Sequence, residues 1–171
     1  MTSSLLRGIA RRRVTIGFVS SALALWLARP CAQSLAGGAA VAIAGEAMRV
    51  WAAGHLEKGR EVTASGPYAF TRHPLYLGST LIGIGLAIAS ASVIVAALVL
   101  AYLAITLTAA VRTEEAHLTE KFGGAYPAYR EGRAENGRRR FSLGRAIRNR
   151  EYRAVLGLVL VLLVLAWKVR G

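Results

Sequence analysis

Five apolar runs divide this sequence, at residues 14–28, 31–53, 75–89, 93–111 and 154–167. About 20 apolar residues in a helix cross a ~30 Å hydrocarbon core, so runs of this kind read as membrane helices. The third and fourth are separated only by Ser90, Ala91 and Ser92 and together cover 37 residues. At ~1.5 Å per residue that is far more than one crossing needs, and a tight helical hairpin is expected. The fifth has only 14 residues, between Arg153 and Lys168. It would make ~21 Å of helix, so its basic flanks would have to snorkel to bridge a bilayer; a helix lying in the interface is the other reading. The first run follows Arg11, Arg12 and Arg13. A signal peptide is disfavoured there because no small-x-small cleavage site leads into a polar start.

Charge placement orients these runs. With five crossings and a cytoplasmic N-terminus, the inner segments are 1–13, 54–73 and 112–153. They hold 4, 3 and 11 lysines and arginines, 18 of the 22 in the chain, as the positive-inside rule requires. The net charge of +13 would suggest nucleic acid in a soluble chain. Here 54% of residues are hydrophobic and only 18% charged, so no nucleic-acid partner is expected. The arginine-rich stretch 138–150 reads as a solvated segment attracted to anionic lipid. The fold class expected is all-α: a polytopic membrane protein of about five helices forming one domain, 1–171. A prokaryotic inner membrane is the default location, and the oligomeric state is open.

The unusual residues collect in the two long inner segments. In the first, Gly66-Pro67 is a turn signal, and Pro74 follows His73 at a favoured first helical position. His73 then stands at a helix start whose unpaired N–H groups can receive an anion; a membrane-interface cap flanked by Tyr68 and Tyr76 is the plainer alternative. The second segment opens with Arg112, Glu114, Glu115 and His117. Adjacent helical residues point ~100° apart, so both carboxylates cannot serve one small group, and one is expected to pair with an arginine. Glu114 and His117 form only half of a di-iron spacing, and no metal site is expected. Within the second run, Glu46 and Arg49 are three apart and therefore neighbours. Ionisable residues in a span are functional candidates, although a snorkelling ion pair explains them equally well. Catalytic-serine and phosphate-loop chemistry are excluded, because Gly-x-Ser-x-Gly, the Gly-Lys-Ser/Thr loop and aspartate itself are missing.

Four blocks in order, Gly66-Pro67-Tyr68, Arg72-His73-Pro74-Leu75-Tyr76-Leu77-Gly78, Glu114-Glu115 and Phe122-Gly123 with Tyr126 and Tyr129, resemble a known superfamily. It comprises the integral-membrane S-adenosylmethionine-dependent methyltransferases, including isoprenylcysteine carboxyl methyltransferase and the phospholipid methyltransferases. The resemblance covers about residues 45 to 133. It implies a cytoplasmic-side pocket for S-adenosyl-L-methionine, lined by Tyr68, His73, Pro74, Leu75 and Tyr76, with Glu114 on the cofactor and Glu115 in support. By the same resemblance Arg60, Glu61, Val62 and Thr63 match a further cofactor-contacting stretch, and Gly83 and Gly85 match a Gly-x-Gly motif of the phospholipid enzymes. Arg112 stands two positions from a substrate arginine of the isoprenylcysteine enzymes. Beyond Arg133 the chain departs from the family.

The implied acceptor is a lipophilic molecule or lipid reached from the bilayer. A carboxylate acceptor would be oriented by Arg112 or Arg49; an amine would give its proton to Glu46 or Glu115. The carboxyl version is placed first and the amine version second. Two other classes stay in view: a nicotinamide-dependent membrane reductase, whose cofactor could use Asn136 or Asn149, and a non-catalytic membrane protein.

Overall fold

The computed structural model describes residues 20–133 and 139–170, and all of their regular structure is helical. Residues 20–27 are helical (α1). Then come α2 (Ala32–His55), a 3-10 turn (Gly66–Ala69), α3 (Pro74–Ser90), α4 (Val93–Phe122), the short α5 (Ala125–Arg130) and α6 (Leu143–Arg148), and α7 (Tyr152–Arg170). Residues 14–19 of the first apolar run, and Arg11 to Arg13, lie outside the described residues.

Local chemistry sets the boundaries. Cys31 caps α2: its Sγ accepts from Ser34 N at 3.5 Å, and its own N–H donates to Ser34 Oγ at 3.0 Å. Proline opens α3, as anticipated, and left-handed Ala91 (φ 47°) closes it. Ser92 then caps α4 by accepting from Val95 N at 3.4 Å, so the hairpin turns within three residues.

Two helices outrun their apolar sequence. α4 continues through 30 residues to Phe122, which places Glu114, Glu115 and His117 on one helix with the apolar run 93–111. α7 has 19 residues, ~28 Å at helical rise, because Tyr152, Arg153 and the residues from Lys168 to Arg170 join it. The shortfall computed for 154–167 therefore disappears. α4 and α7 are long and apolar enough to cross a membrane. Ile94, Leu98 and Ile105 on α4, and Leu156, Leu160 and Leu163 on α7, are exposed, as side chains facing lipid should be.

α2 and α3 make the closest interface, and small residues build it. A Cβ on Gly45 would stand 2.7 Å from the Gly78 carbonyl oxygen, and one on Gly85 would stand 2.5 Å from that of Gly38. Backbones this close are the usual device for helix association in lipid, where apolar side chains gain nothing over the acyl chains.

The C-terminal part is knitted onto this pair. The last carbonyls of α2 have no helical partners of their own. Arg145 donates to Gly54 O at 2.8 Å, and Asn149 Nδ2 donates to Ala53 O and Leu56 O, each at 2.9 Å. At the far end Lys168 Nζ caps α1, donating to Leu25 O at 2.8 Å and Ala28 O at 2.6 Å.

Gly85→Leu should lower the melting temperature of the detergent-solubilised protein far more than Gly37→Leu, whose Cβ meets nothing within 4 Å. The expected cost at Gly85 is about 1–3 kcal/mol, the usual penalty of overpacking. Equal melting temperatures would refute the contact.

Candidate active site

A cavity of about 920 Å³ opens where the loop after α2, the 3-10 turn, the start of α3, the polar end of α4 and α5 converge. Its volume is that of a small-molecule site. Gly66 makes the 3-10 turn possible. Its φ of +60° suits only glycine well, and a Cβ there would meet the His55 ring at 2.7 Å. The turn presents Tyr68, whose backbone carbonyl accepts from the Tyr129 hydroxyl at 2.6 Å.

The adjacent carboxylates diverge, as helical geometry demands. Glu114 lines the cavity and accepts from the Tyr76 hydroxyl at 2.5 Å. Glu115 turns to the wall, where Oε1 accepts from His73 Nε2 at 3.0 Å and from Arg72 at 3.1 Å. His73 is further fixed by stacking on Tyr76, with ring centroids 5.6 Å apart. The wall is therefore a chain of contacts, Arg72 and His73 to Glu115 and Tyr76 to Glu114, that sets the start of α3 against α4. No side chain caps α3, because His73 makes no capping hydrogen bond; Pro74 has no N–H and the Tyr76 and Leu77 N–H groups donate to the His73 carbonyl at 3.1 and 3.0 Å, so in the first turn the Leu75 N–H is left for a ligand.

Of the residues singled out in the sequence, Glu61, Val62, Thr63, Tyr68, His73, Pro74, Leu75, Tyr76, Glu114 and Arg49 line this cavity. Arg60, Arg112, Glu115, Glu46, Gly83 and Gly85 do not. Gly85 faces Gly38 and Ala42 of α2, and Gly83 faces Leu103 and Val99 of α4, so the Gly-x-Gly pair serves helix packing. Arg112 is exposed on α4. Asn149, a possible contact for a nicotinamide cofactor, caps α2 instead; Asn136 lies outside the described residues.

The loop over the cavity is tied down by the arginine-rich segment. Glu57 meets Arg139 at 3.2 Å and Arg145 at 3.1 Å, and Glu61 meets Arg139 at 2.6 Å. Residues expected only to be solvated thus hold one rim of the site.

At the floor, Arg49 has more partners than its spacing from Glu46 suggested. Its Nε donates to Glu151 at 2.6 Å and its Nη1 to Ser79 Oγ at 2.5 Å, while Glu46 lies 3.9 Å away. Glu46 is 6% exposed, and neither of its carboxylate oxygens has a hydrogen-bond partner among the described residues. A buried unpaired carboxylate is costly and calls for an explanation. Sequence reasoning passed over Glu151. Its signal was present: it is the one carboxylate among the seven arginines of residues 138–153, beside a membrane helix.

Together these features define a helical membrane-associated protein with a small-molecule-sized cavity at one end of its helices, apolar over most of its lining and carrying Glu114, His73 and Arg49. The phospholipid methyltransferase family model matches residues 13–125, and the chain belongs to that family. No curated protein and no solved structure matches it.

Tyr126, 2% exposed, has no hydrogen-bond partner for its hydroxyl among the described residues. Burial, and then the Glu115 carboxylate, push its phenol up to about 12. Tyr68 and Tyr129 are also raised, burial again coming first. A phenol raised by folding is held neutral in the native state. Its contribution to stability is therefore full below about pH 10, the ordinary value, and is lost as pH climbs through about 12. Melting temperatures should fall across that window, and Tyr126→Phe should flatten the fall. Superimposable pH profiles would count against this account of the tyrosine.

Proposed function

We propose that the chain is an S-adenosylmethionine-dependent methyltransferase acting on a lipophilic amine in the membrane. The observation carrying the cofactor is the pairing of Glu114 with the uncapped start of α3 across one cavity. A carboxylate suits the cofactor's ammonium by a charge-assisted hydrogen bond. The open Leu75 N–H at the start of α3 suits its carboxylate. The faces of Tyr68 and Tyr76 suit a sulfonium. Glu61, Val62 and Thr63 close the opposite side, and Arg60 acts only through that loop. When bound, the cofactor supplies an electrophilic methyl group on a sulfonium that leaves as a neutral thioether. The protein's own work is to align the acceptor behind that methyl and to exclude water.

Glu46 favours an amine over a carboxylate acceptor. An ammonium must lose a proton before its nitrogen can attack, and an unpaired buried carboxylate can take it. The arginine that a carboxylate acceptor would need is already engaged, since Arg49 is held by Glu151. The family match points the same way. In this reading Arg49, held by Glu151, positions Glu46 beside the acceptor, Glu46 accepts the proton, Glu115 positions His73, and Arg112 contacts lipid headgroups. The whole of 1–171 acts as one domain with about five crossings, a cytoplasmic N-terminus and the cofactor cavity facing the cytoplasm of a prokaryotic cell.

Calorimetric titration with S-adenosylmethionine should give micromolar binding to wild type. Glu114→Ala and His73→Ala should each weaken it by on the order of tenfold, the worth of a hydrogen bond to a charged group. With labelled cofactor and lipid extract, the product should keep its label through mild alkali, as a methylamine does and a methyl ester does not. Glu46→Gln should lower turnover on the order of a hundredfold without changing cofactor affinity. Absence of binding by folded wild type in lipid would end the proposal.

A further inference from the structure

A second cavity of about 320 Å³ lies between α2, α3 and α7. Arg49 lines both cavities, so they meet at this residue. The smaller one is polar at one end only, with Glu46, Arg49 and Ser79. From there it runs between Ile82 and Leu86 of α3 and Ala154 to Val161 of α7. Seven residues of helix make this groove ~10 Å long, and its walls are aliphatic. The α7 side lies wholly beyond the residues matched by the family, which end at 125.

Three observations point to an occupant. Glu46 lines the groove and is 6% exposed, and its carboxylate oxygens are buried with no hydrogen-bond partner among the described residues. The cluster Glu46, Arg49 and Glu151 carries two carboxylates against one guanidinium, so a cationic or proton-donating group would balance it. Finally, a Cβ on Gly157 would meet nothing within 4 Å, so the groove has open space where α7 carries no side chain.

We infer that α7 builds an acceptor groove that the matched family region alone does not possess. One hydrocarbon chain of an amine-bearing lipid lies between α3 and α7, with its headgroup at Glu46 and Arg49, one step from the cofactor cavity. Glu151 is a positioning residue that keeps Arg49 at the junction. Gly157 sets the width of the groove and hence the chain it admits. The identity of the occupant as the methyl acceptor rests on the function proposed above; its place in the groove does not.

The test uses the full chain in phosphatidylcholine nanodiscs with a phosphatidylethanolamine probe carrying a diazirine in one acyl chain. Photolabelling should concentrate on residues 79–86 and 154–161. Gly157→Leu should cut that labelling, and raise KM for the amine lipid, by on the order of tenfold, as loss of pocket space does elsewhere. S-adenosylmethionine affinity should stay at the wild-type value. Leu160→Trp, on the exposed face of α7, should change neither. Labelling spread evenly over the exposed faces of α4 and α7, or undiminished in Gly157→Leu, would overturn the inference. Labelling confined to the groove in a wild type that binds no S-adenosylmethionine would instead overturn the methyltransferase reading and leave the groove as a lipid site.

Discussion

The structure depends on the backbone contact between α2 and α3. Four glycines, Gly38 and Gly45 on one helix and Gly78 and Gly85 on the other, let the two chains approach until carbonyl oxygens stand where a Cβ would be. Dispersion and close backbone approach join the two helices, the same device that joins helices in lipid. The consequence for the site is geometric. Arg49 sits one turn beyond Gly45 and lies against Gly78, whose Cβ would meet the arginine side chain. The charged floor is thus registered by the same contact that joins the helices, and Pro74 and His73 begin a fixed distance above it. A looser helix pair would have left Arg49 free to choose its partners.

The carboxylate pair on α4 shows how a helix assigns two roles to adjacent identical residues. Glu114 and Glu115 differ only in the direction in which the helix points them. One meets the cavity and the Tyr76 hydroxyl; the other meets His73 and Arg72. The second joins the two helices and thereby holds the first helix's N-terminus in place. The cavity-lining and wall-bracing positions are separated by ~100° of rotation, and neither carboxylate could take the other's place without turning the helix.

Much of this was legible in the sequence, for identifiable reasons. Apolar runs and their punctuation gave α2, α3, the turn at Ala91 and the apolar part of α4, because lipid imposes hydropathy on any segment that crosses it. The helical angle between adjacent residues foretold that one glutamate would pair with an arginine. What escaped was long-range or amphipathic. Hydropathy ends where polar residues begin, so the extension of α4 to Phe122 and of α7 to Arg170 had no signal in it. The Gly-x-Gly pair is a local motif compatible with both packing and binding, and the neighbouring helices show its packing side. Gly83 and Gly85 have Leu103 and Ala42 against them. Glu151 was hidden among arginines that, read by composition, belonged to a solvated segment.

Those arginines explain why the C-terminal part is more than an appendage. A helix added to a membrane protein must satisfy its own polar ends and those it covers. Here the C-terminal segment supplies donors to the rest of the chain: Arg145 and Asn149 at the last carbonyls of α2, Lys168 at the end of α1, Arg139 and Arg145 at Glu57. Each donor converts an orphan acceptor into a crosslink between the added segment and the family core. The one carboxylate in the segment reverses this logic, since Glu151 brings an acceptor to the core's arginine. It competes for Arg49 with Glu46, three residues away on the same helix, and wins by 2.6 Å against 3.9 Å. The C-terminal segment therefore holds the near side of Arg49, leaves Glu46 with a long ion pair and no hydrogen bond, and lines one wall of the second cavity. A site of that kind needs both parts of the chain, and its chemistry follows from which carboxylate the arginine takes.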